Sequence, residues 1–295
     1  MPETALDLAM TEDAPPKGTR LCLNMILGDV REPYLAAALE SAADFCDWAV
    51  ININGDEEEE GVKRNLQDVI ECRMNKEDHL TILGLPFRNY SFARNICLEA
   101  SRDCDWILRL DGDEVLWRDL NLLEYIDRAD AEGCNRVVGN FWHFLKSWEH
   151  VHNESRTDRK FEIPFLFKMS PDLSWSGVTH ERIAGPAFSD LVTGKPVWCH
   201  FGYVDPVKVF DKWLRFANVE GDTQSYLGYF ADPQATWRKG PANILDDREQ
   251  YPYTDILPQA LTESFSLDPD TFKVHASDCL LVIQEKGECT CNHDL

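Results

Sequence analysis

Hydrophobic and polar positions alternate in blocks along the first third of the chain, and these blocks predict strands and helices in turn. Short apolar runs predict four strands, and segments with an apolar residue every three or four positions predict three helices. The predicted strands are Leu21–Leu27, Trp48–Ile53, His79–Leu83 and Trp106–Leu110, and the predicted helices are Pro33–Ala42, Glu58–Asn75 and Ser91–Ala100. This alternation is typical of an α/β fold with a mostly parallel, doubly wound sheet and helices on both faces.

The pattern changes after Asp130 and predicts a different organisation for the rest of the chain. Two further strands are predicted at Arg136–Leu145 and Phe161–Met169, and an amphipathic helix at Val207–Val219. Frequent prolines in 227–270 indicate an irregular segment, and the polar start of the chain indicates a mobile tail. We therefore expect a disordered acidic tail at 1–18, one α/β domain at 19–220, and a helical and irregular extension at 221–295 that packs on the domain.

The charge balance limits the classes of partner. The chain of 295 residues has 29 Lys and Arg against 52 Asp and Glu, a formal net charge of −23. A surface this acidic repels phosphate backbones, so no nucleic-acid partner is expected. No apolar run reaches the roughly 18 residues of a transmembrane helix, and the acidic start does not resemble a secretory signal. We expect a cytoplasmic protein without a transmembrane segment, in which any anionic ligand needs a local positive charge or a metal ion.

The ten cysteines are scattered over a chain long enough to form a core without disulfides. Several lie inside apolar segments, which predicts reduced, buried thiols that act as small hydrophobic side chains. One cluster differs, because Cys289, Cys291 and His293 lie close together at the end of the sequence. These three residues could hold zinc, but they lack a second ligand pair at finger-like spacing, and the role of the cluster stays open.

Two carboxylates follow the fourth predicted strand directly, in the segment Asp111-Gly112-Asp113-Glu114. Ligands of parallel α/β sheets bind at the carboxyl ends of the strands, so this turn lies where chemistry is expected. Carboxylates two residues apart can bind one hard divalent cation and leave positions open for the oxygens of a diphosphate. The alternative is an ordinary acidic turn, because Asp and Gly are common turn residues.

Two longer segments around this turn, Asn89–Asn95 and Asp105–Glu114, resemble the GT-A glycosyltransferases of the family-2 type. Downstream, Ser176–Glu181 and Cys199–Tyr203 resemble the His-Glu segment and the His-aromatic-Gly-Tyr segment of that family. The resemblance extends over about two thirds of the chain. It implies a single GT-A domain with a Rossmann-like α/β fold, a nucleotide-sugar donor, a Mn²⁺ or Mg²⁺ cofactor and an inverting reaction.

The resemblance also implies roles for individual residues. Asp113 is expected to bind the metal ion, and Asp111 to contact the donor ribose or the same metal ion. Glu181 is expected to be the base that takes the proton from the acceptor hydroxyl. Asn24 is a candidate for donor binding because it lies towards the end of the first strand, and the alternative is an internal hydrogen bond of that strand.

Further candidates depend on the chemistry of their side chains. A neutral imidazole of His180 or His200 can complete the metal shell, although His200 can equally pack beside its aromatic neighbours. Arg94 can place a fixed positive charge near the nucleotide, or it can be a surface arginine paired with a carboxylate. Asn54 follows the second strand, where the family commonly has an acidic residue that reads the nucleotide. An amide can still donate and accept hydrogen bonds, so Asn54 stays a donor-site candidate.

The acceptor site is the least determined part of the predicted site. Trp142 and Trp175 lie between the metal motif and the His-Glu segment, where an acceptor would approach. Sugar C–H faces can pack on an indole ring, and core packing is the alternative for either residue.

Together these observations predict a metal-dependent glycosyltransferase that moves a sugar from a nucleotide-sugar donor to a glycan, lipid-linked or protein acceptor. One alternative is a catalytically silent nucleotide-sugar-binding or scaffold protein with the same fold, suggested by the missing acid after the second strand. Another is a nucleotidyltransferase, but Gly28-Asp29-Val30-Arg31 is a poor match to the glycine-rich, basic phosphate loop that such an enzyme needs. The donor sugar, the acceptor and the oligomeric state stay open.

Overall fold

The computed structural model describes residues 18–27, 34–53, 79–83, 88–117, 120–145, 147–151, 163–177, 181–204 and 243–244. The chain divides into two compact units. The first unit consists of Met1–Phe141 and Asp158–Cys199, and the second of Trp142–Thr157 and His200–Leu295. The predicted domain boundaries at 19–220 and 221–295 stay predictions.

The described residues form three helices and twelve strands. The helices are α1 (Leu35–Ala43), α2 (Tyr90–Ala100) and α3 (Leu122–Glu132). The strands are β1 (Thr19–Leu27), β2 (Trp48–Ile53), β3 (Leu80–Leu83), β4 (Cys104–Arg109), β5 (Glu114–Leu116), β6 (Arg136–Leu145), β7 (Ser147–Val151), β8 (Ile163–Lys168), β9 (Ser174–Ser176), β10 (Arg182–Ala184), β11 (Asp190–Tyr203) and β12 (Asn243–Ile244).

The first unit is built on a mixed sheet. Strands β3, β2, β1 and β4 are neighbours in this order and run parallel to one another. Beyond β4 the sheet continues antiparallel through β8 to β6. Strand β11 pairs with both β5 and β6, and β9 and β10 form a separate two-stranded sheet. The parallel strands therefore bring the carboxyl ends of β1, β2 and β4 to one edge, where ligands of such sheets bind.

Side chains of β1 alternate between two apolar layers, as the two-residue period of a strand requires. Leu21, Leu23 and Met25 pack in a core cluster with residues of α1 and α3. Cys22 lies in a second cluster with Ile96 and other residues of α2. The sheet of the first unit is therefore covered on both faces, which explains why its central strands are almost entirely apolar.

Polar residues define the ends of two helices. The side chain of Asn89 accepts a hydrogen bond from Phe92 N at 2.8 Å and caps the start of α2. Asn121 caps α3 in the same way, and Gly133 ends α3 with a left-handed backbone conformation, φ 70°. The Asn89 cap fixes where α2 begins, and this helix carries several of the predicted site residues.

The second unit is described only in part. In this unit β7 pairs antiparallel with the end of β6 through Phe144 and Val151, and with β12 through Val151 and Asn243. The rings of Phe144 and Phe201 stack with their centroids 4.9 Å apart, and Trp142 is 8% exposed. Trp142 is thus a packed residue in this unit.

The α/β class predicted from the sequence is confirmed. The four early strands, the strands near 136–145 and 161–169, and two of the three early helices occur close to their predicted positions. The predicted helices Glu58–Asn75 and Val207–Val219 and nearly all of the segment 227–270 lie outside the described residues. Helix α3 and the strands β5, β7, β9, β10, β11 and β12 were not predicted. No helix in the described ranges is long and apolar enough to cross a membrane.

Candidate active site

The turn after β4 is held by its own backbone and by the neighbouring strand. Leu110 N donates to Asn24 O at 3.3 Å, which continues the pairing of β4 with β1 for one residue beyond the strand. Glu114 N then donates to Asp111 O at 3.0 Å, and Asp111 N donates to Glu114 Oε2 at 2.9 Å. These reciprocal hydrogen bonds close the turn and give the Asp111 carboxylate a defined position at the carboxyl edge of the sheet.

Arg109 and Glu114 form an ion pair across this turn. Arg109 Nη2 donates to both carboxylate oxygens of Glu114, at 2.9 and 3.0 Å. The Glu114 side chain is buried, at 7% exposure, and that of Arg109 is partly buried, at 12% exposure. Burial raises the pKa of Glu114 to about 7 against the lowering effect of Arg109, and the neighbouring Asp111 and Asp113 carboxylates raise it further.

Arg94 of α2 joins two carboxylates that are far apart in the sequence. Its Nη2 donates to Asp111 Oδ1 at 2.5 Å, and its Nε donates to Glu181 Oε1 at 2.7 Å. Only 3% of the Arg94 side chain is exposed. Its guanidinium carbon also lies 5.5 Å from the ring centroid of Trp175. We call Arg94, Arg109, Asp111, Glu114 and Glu181 the arginine–carboxylate cluster.

The electrostatics of the cluster follow from these contacts. Burial by itself would raise the pKa of the Asp111 carboxyl, but the Arg94 and Arg109 guanidiniums hold it below its usual value. The pKa of Arg94 lies above its ordinary value: burial lowers it, and the charges of Asp111 and Glu181 more than offset that effect. Arg94 and Asp111 are therefore both held in their charged forms at neutral pH.

Helix α2 also positions the hairpin that carries Glu181. Asn95 Nδ2 donates to Trp175 O at 2.8 Å, and Trp175 N donates to Asn95 Oδ1 at 2.7 Å, so this amide completes the backbone hydrogen bonding of β9. Ser91 Oγ donates to Gly177 O just after β9. Since β9 pairs with β10, and Glu181 directly precedes β10, α2 places both ends of the Arg94–Glu181 ion pair.

The structure thus brings together several residues that the sequence analysis selected separately. Asp111 and Glu181 each contact Arg94, and Trp175 packs beside Arg94 and edge-to-face on Phe167. Asp113 lies in the same turn and is 6% exposed. Their assignment to metal, donor, acceptor or base roles remains a prediction.

Asn24 is close to the cluster in the sheet but faces inwards. It pairs with Arg109 in the register of β1 and β4, and it is 5% exposed. Its Nδ2 donates to Ser101 Oγ at 2.7 Å, at the end of α2. The internal hydrogen bond considered as the alternative role of Asn24 is therefore present.

Four other predicted site residues lie either outside the described residues or in the second unit. His180 and Asn54 lie outside the described residues. His200 and Trp142 belong to the second unit. There, the Nδ1 atoms of His200 and His143 lie 2.7 Å apart, so one ring donates a hydrogen bond to the other.

Arg109 and Glu114 are the residues that sequence reasoning missed. Both stood in the segment that carries the family resemblance, but neither received a role. The available signal was their placement, since one ends a buried strand before the turn and the other begins the next strand after it. Charged residues at two positions withdrawn from water need partners, and in the structure Arg109 and Glu114 pair with each other at 2.9 Å.

The donor chemistry of the turn suits a divalent cation, although the described residues contain no group of three or more His, Cys, Asp or Glu side chains that could hold a metal ion. Asp111 and Asp113 supply hard oxygen ligands. The pKa of Asp111 is lowered overall, but the negative charge of Asp113 acts in the opposite direction, because the two carboxylates repel each other. A cation at this turn would remove that repulsion, and it would compete with the guanidiniums for Asp111.

Comparison with known protein families identifies the family to which this chain belongs. The model of the family described as glycosyl transferase family 2 matches residues 30–188, more than half of the chain and all of the cluster. The chain belongs to glycosyl transferase family 2. The GT-A fold expected from the resemblance is thereby confirmed, and a glycosyltransferase function is supported at the level of the family.

Solved structures similar to this family 2 member include the S. aureus protein TarS, residues 1–349, with 12% sequence identity and a TM-score of 0.41. That match covers 72% of this chain and 70% of TarS. A second is the mannosyltransferase PcManGT from Pyrobaculum calidifontis, solved in complex with GDP-Man and Mn²⁺, with 12% identity and a TM-score of 0.44. It covers 96% of this chain and 81% of that one. No curated protein sequence matches this chain significantly.

Proposed function

We propose that this protein is a metal-dependent, inverting glycosyltransferase that transfers a sugar from a nucleotide-sugar donor to an acceptor hydroxyl. The observation that carries the proposal is the contact of one buried guanidinium with two carboxylates, because Arg94 joins Asp111 at the carboxyl edge of the sheet to Glu181 on the hairpin. A metal-binding carboxylate and a base must lie on the two sides of the reacting carbon in such a reaction. Arg94 holds both carboxylates close together, which supports metal binding by Asp111 and a base role for Glu181.

Asp111 and Asp113 are the proposed metal ligands, and His180 and His200 are candidates to complete the shell. When bound, Mn²⁺ or Mg²⁺ stabilises the charge that develops on the diphosphate leaving group. We also assign donor contacts to Asp111 and Asn54. Arg94 supplies positive charge close to the same edge, which an anionic donor needs on a protein of net charge −23.

Glu181 is the proposed base. The acceptor oxygen forms a bond to the anomeric carbon while the bond from that carbon to the diphosphate oxygen breaks. The acceptor proton passes to a carboxylate oxygen of Glu181, and the nucleoside diphosphate leaves with the bonding electrons. Because Arg94 Nε holds Glu181 Oε1 at 2.7 Å, the orientation of the carboxylate is set before the acceptor arrives.

Trp175, and in the second unit Trp142, are the proposed acceptor platforms. Trp175 is partly buried and packs next to Arg94, so an exposed part of its ring would meet an acceptor close to Glu181. The chemistry of the acceptor, whether glycan, lipid-linked or protein, is to be determined by the assay below.

The first test follows nucleotide release and donor binding with a panel of nucleotide sugars and acceptors, with and without Mn²⁺ or Mg²⁺. We expect metal-dependent binding of at least one donor, and release of nucleoside diphosphate when a suitable acceptor is present. Binding without transfer for every acceptor would favour the catalytically silent alternative. Absence of both binding and release for every donor would refute the enzyme assignment.

Two variants test the individual roles. Asp113→Asn should lower metal-dependent donor binding by about a hundredfold, since a metal contributes several kcal/mol to such a site. Asp105→Asn is the matched control, because Asp105 is an exposed carboxylate of β4, the strand that precedes the turn. If Asp113→Asn binds the donor as the parent does, the metal assignment is wrong.

Glu181→Gln should retain donor binding and lose transfer by about 10²–10⁴-fold, the usual contribution of a general base. Glu132→Gln at the end of α3, where the side chain is 54% exposed, should behave as the parent. Near-parental turnover of Glu181→Gln would show that the base lies elsewhere.

A further inference from the structure

A small cavity lies beneath the arginine–carboxylate cluster in the first unit. Its volume is about 10 Å³, close to what one water molecule needs. Asn24 of β1, Arg94 of α2 and Arg109 of β4 all line it, together with apolar side chains such as Ile107 and Phe167. The cavity is therefore an apolar space into which three polar residues from three different elements converge.

Each of these three residues has a buried polar atom without a hydrogen-bond partner among the described residues. The atoms are Asn24 Oδ1, Arg94 Nη1 and Arg109 Nε. Buried polar atoms in folded proteins almost always have a partner, either protein or ordered water. Three such atoms on residues that line one cavity point to one shared partner.

The chemistry of the three atoms selects that partner. Arg94 Nη1 and Arg109 Nε are donors, whereas Asn24 Oδ1 is an acceptor. Water is able to accept from two donors and donate to one acceptor at the same time. An anion is disfavoured because it would face the carbonyl oxygen of Asn24, and a cation is disfavoured by the two guanidiniums.

We propose that one water molecule binds in this cavity and links Asn24 to both arginines, which makes Asn24 a positioning residue for the cluster. The guanidinium is planar and its N–H groups have fixed relative directions. Holding Arg94 Nη1 from below therefore sets the directions of Nε and Nη2, which bind Glu181 and Asp111. Arg109 is held in the same way, with its Nη2 on Glu114.

The positioning role of Asn24 in catalysis rests on the proposed function. The presence of the bound water does not depend on that function. Asn24 would act on the reaction only through the water and the arginines, because its own amide is buried and its Nδ2 is bonded to Ser101. Its loss should change how well the carboxylates are placed and leave the donor-binding residues themselves intact.

The first test is a high-resolution crystal structure of the parent and of Asn24→Leu. We expect one solvent peak within hydrogen-bond distance of Asn24 Oδ1, Arg94 Nη1 and Arg109 Nε in the parent, and no such peak in the variant. A crystal soaked in bromide separates water from a halide, because only a halide site would show anomalous signal. An unfilled cavity or a halide in the parent would overturn the proposal, whether or not the protein has activity.

Asn52→Leu is the matched control. Asn52 lies on the neighbouring strand β2, is fully buried, and does not line the cavity. Both leucine variants lose a buried amide and should lose thermal stability, but the Asn52 variant should keep the solvent peak. If Asn24→Leu does not fold, Asn24→Asp still tests the inference, because it keeps an acceptor facing the two arginines and should keep the peak.

The second test separates turnover from binding in an assay with an active donor. Asn24→Leu should lower kcat by about tenfold to a hundredfold, the usual effect of a displacement of about 1 Å in catalytic groups, and should change donor affinity little. Asn24→Asp should restore most of the turnover. Equal kcat in Asn24→Leu and the parent would refute the positioning role, and a parent without activity would refute the proposed function while the crystallographic result stands.

Discussion

At the scale of single residues, Arg94 is the centre of the site. It is almost fully buried and compensates two carboxylates, one on the turn after β4 and one on the hairpin. Burying charge is unfavourable unless the partners are in place, so each member of this group depends on the others. The same reasoning explains Arg109 and Glu114, whose charges are also withdrawn from water.

Replacement of Arg94 by alanine should therefore destabilise the fold strongly. Removing one partner of a buried ion pair leaves uncompensated charge, and Arg94→Ala should lower the free energy of unfolding by about 3–5 kcal/mol. Arg128→Ala, at an exposed ion pair with Glu132, should lower it by less than about 1 kcal/mol. Urea unfolding of both variants provides the measurement. Equal effects would mean that the Arg94 interactions are replaced by water in the folded protein.

The cysteines allow a second prediction at this scale. None of the six described cysteines forms a disulfide and all are buried, which agrees with the expectation of reduced core thiols. Burial raises the pKa of Cys22 and of Cys199, and it raises the pKa of Cys97 to about 12. Since the thiolate is the reactive form and a raised pKa leaves little of it, iodoacetamide should not modify these three residues in the native protein.

Peptide mapping by mass spectrometry after alkylation at mildly alkaline pH gives the result residue by residue. The same three cysteines should react fully once denaturant unfolds the chain. Fast modification of Cys97 in the native state would contradict the buried position of the inner face of α2.

At the scale of elements, α2 organises the site. Two successive residues of this helix have different tasks, since Arg94 binds the carboxylates and Asn95 binds the backbone of β9. The N-cap residue Asn89 sets where the helix starts. The position of Glu181 therefore depends on a helix some eighty residues earlier in the chain, through the hydrogen bonds between Asn95 and Trp175 at a sequence separation of 80.

Asn95→Leu should loosen the hairpin that carries Glu181. Both amide hydrogen bonds to Trp175 are lost, at a cost of about 1 kcal/mol each, and the backbone of β9 loses partners that water can supply only by local opening. Hydrogen exchange of peptides that cover 174–184 should become faster. Asn89→Ala is the control, because it removes a cap worth about 1 kcal/mol at the start of the same helix and leaves the Asn95 contacts in place. Similar exchange of the hairpin in both variants would show that Asn95 has no specific role.

At the scale of the whole molecule, the net charge of −23 is the dominant property. The arginine–carboxylate cluster accounts for little of it, because three carboxylates there face two guanidiniums. The acid excess must therefore lie mostly elsewhere on the chain. Like charges on a folded protein repel each other and disfavour the compact state.

Added salt should therefore stabilise the protein. Screening shortens the range of charge repulsion from about 30 Å at 0.01 M salt to about 8 Å at 0.15 M, so the thermal midpoint should rise as NaCl is added over this range. Buried pairs such as Arg94–Asp111 are screened much less and should not cancel the effect. The thermal midpoint is measured by calorimetry in NaCl and, as a control, in sucrose at equal osmolarity. Sucrose is excluded from the protein surface but does not screen charges, so the comparison separates the two effects. A midpoint that falls with NaCl would mean that exposed ion pairs, such as Arg20–Asp127, outweigh the repulsion.

The sequence by itself determined the four early strands, two of the early helices and the turn on which the candidate site is built. Trp48–Ile53 is buried on both faces, and a short, nearly continuous apolar run of this kind identifies such a strand without tertiary information. The turn Asp111-Gly112-Asp113-Glu114 was recognisable because its side chains and its place after a strand are local properties. Strands of three residues, such as β9 and β10, carry too few positions to show a period, and for that reason they were missed.

Only the tertiary structure decided which charges meet. Arg94 is separated in the sequence by 17 residues from Asp111 and by 87 from Glu181. No local sequence pattern indicates that residues at these separations are in contact. The inward orientation of Asn24 was equally hidden, because whether a polar residue of a strand faces the ligand edge or the helix beneath depends on the register of β1 against β4 and α2. Charges interact through space, with a strength that depends on burial, whereas the pattern of hydrophobic residues is a local property of the sequence. The sequence therefore identified many of the helices and strands, and only folding determined which of their side chains meet in the site.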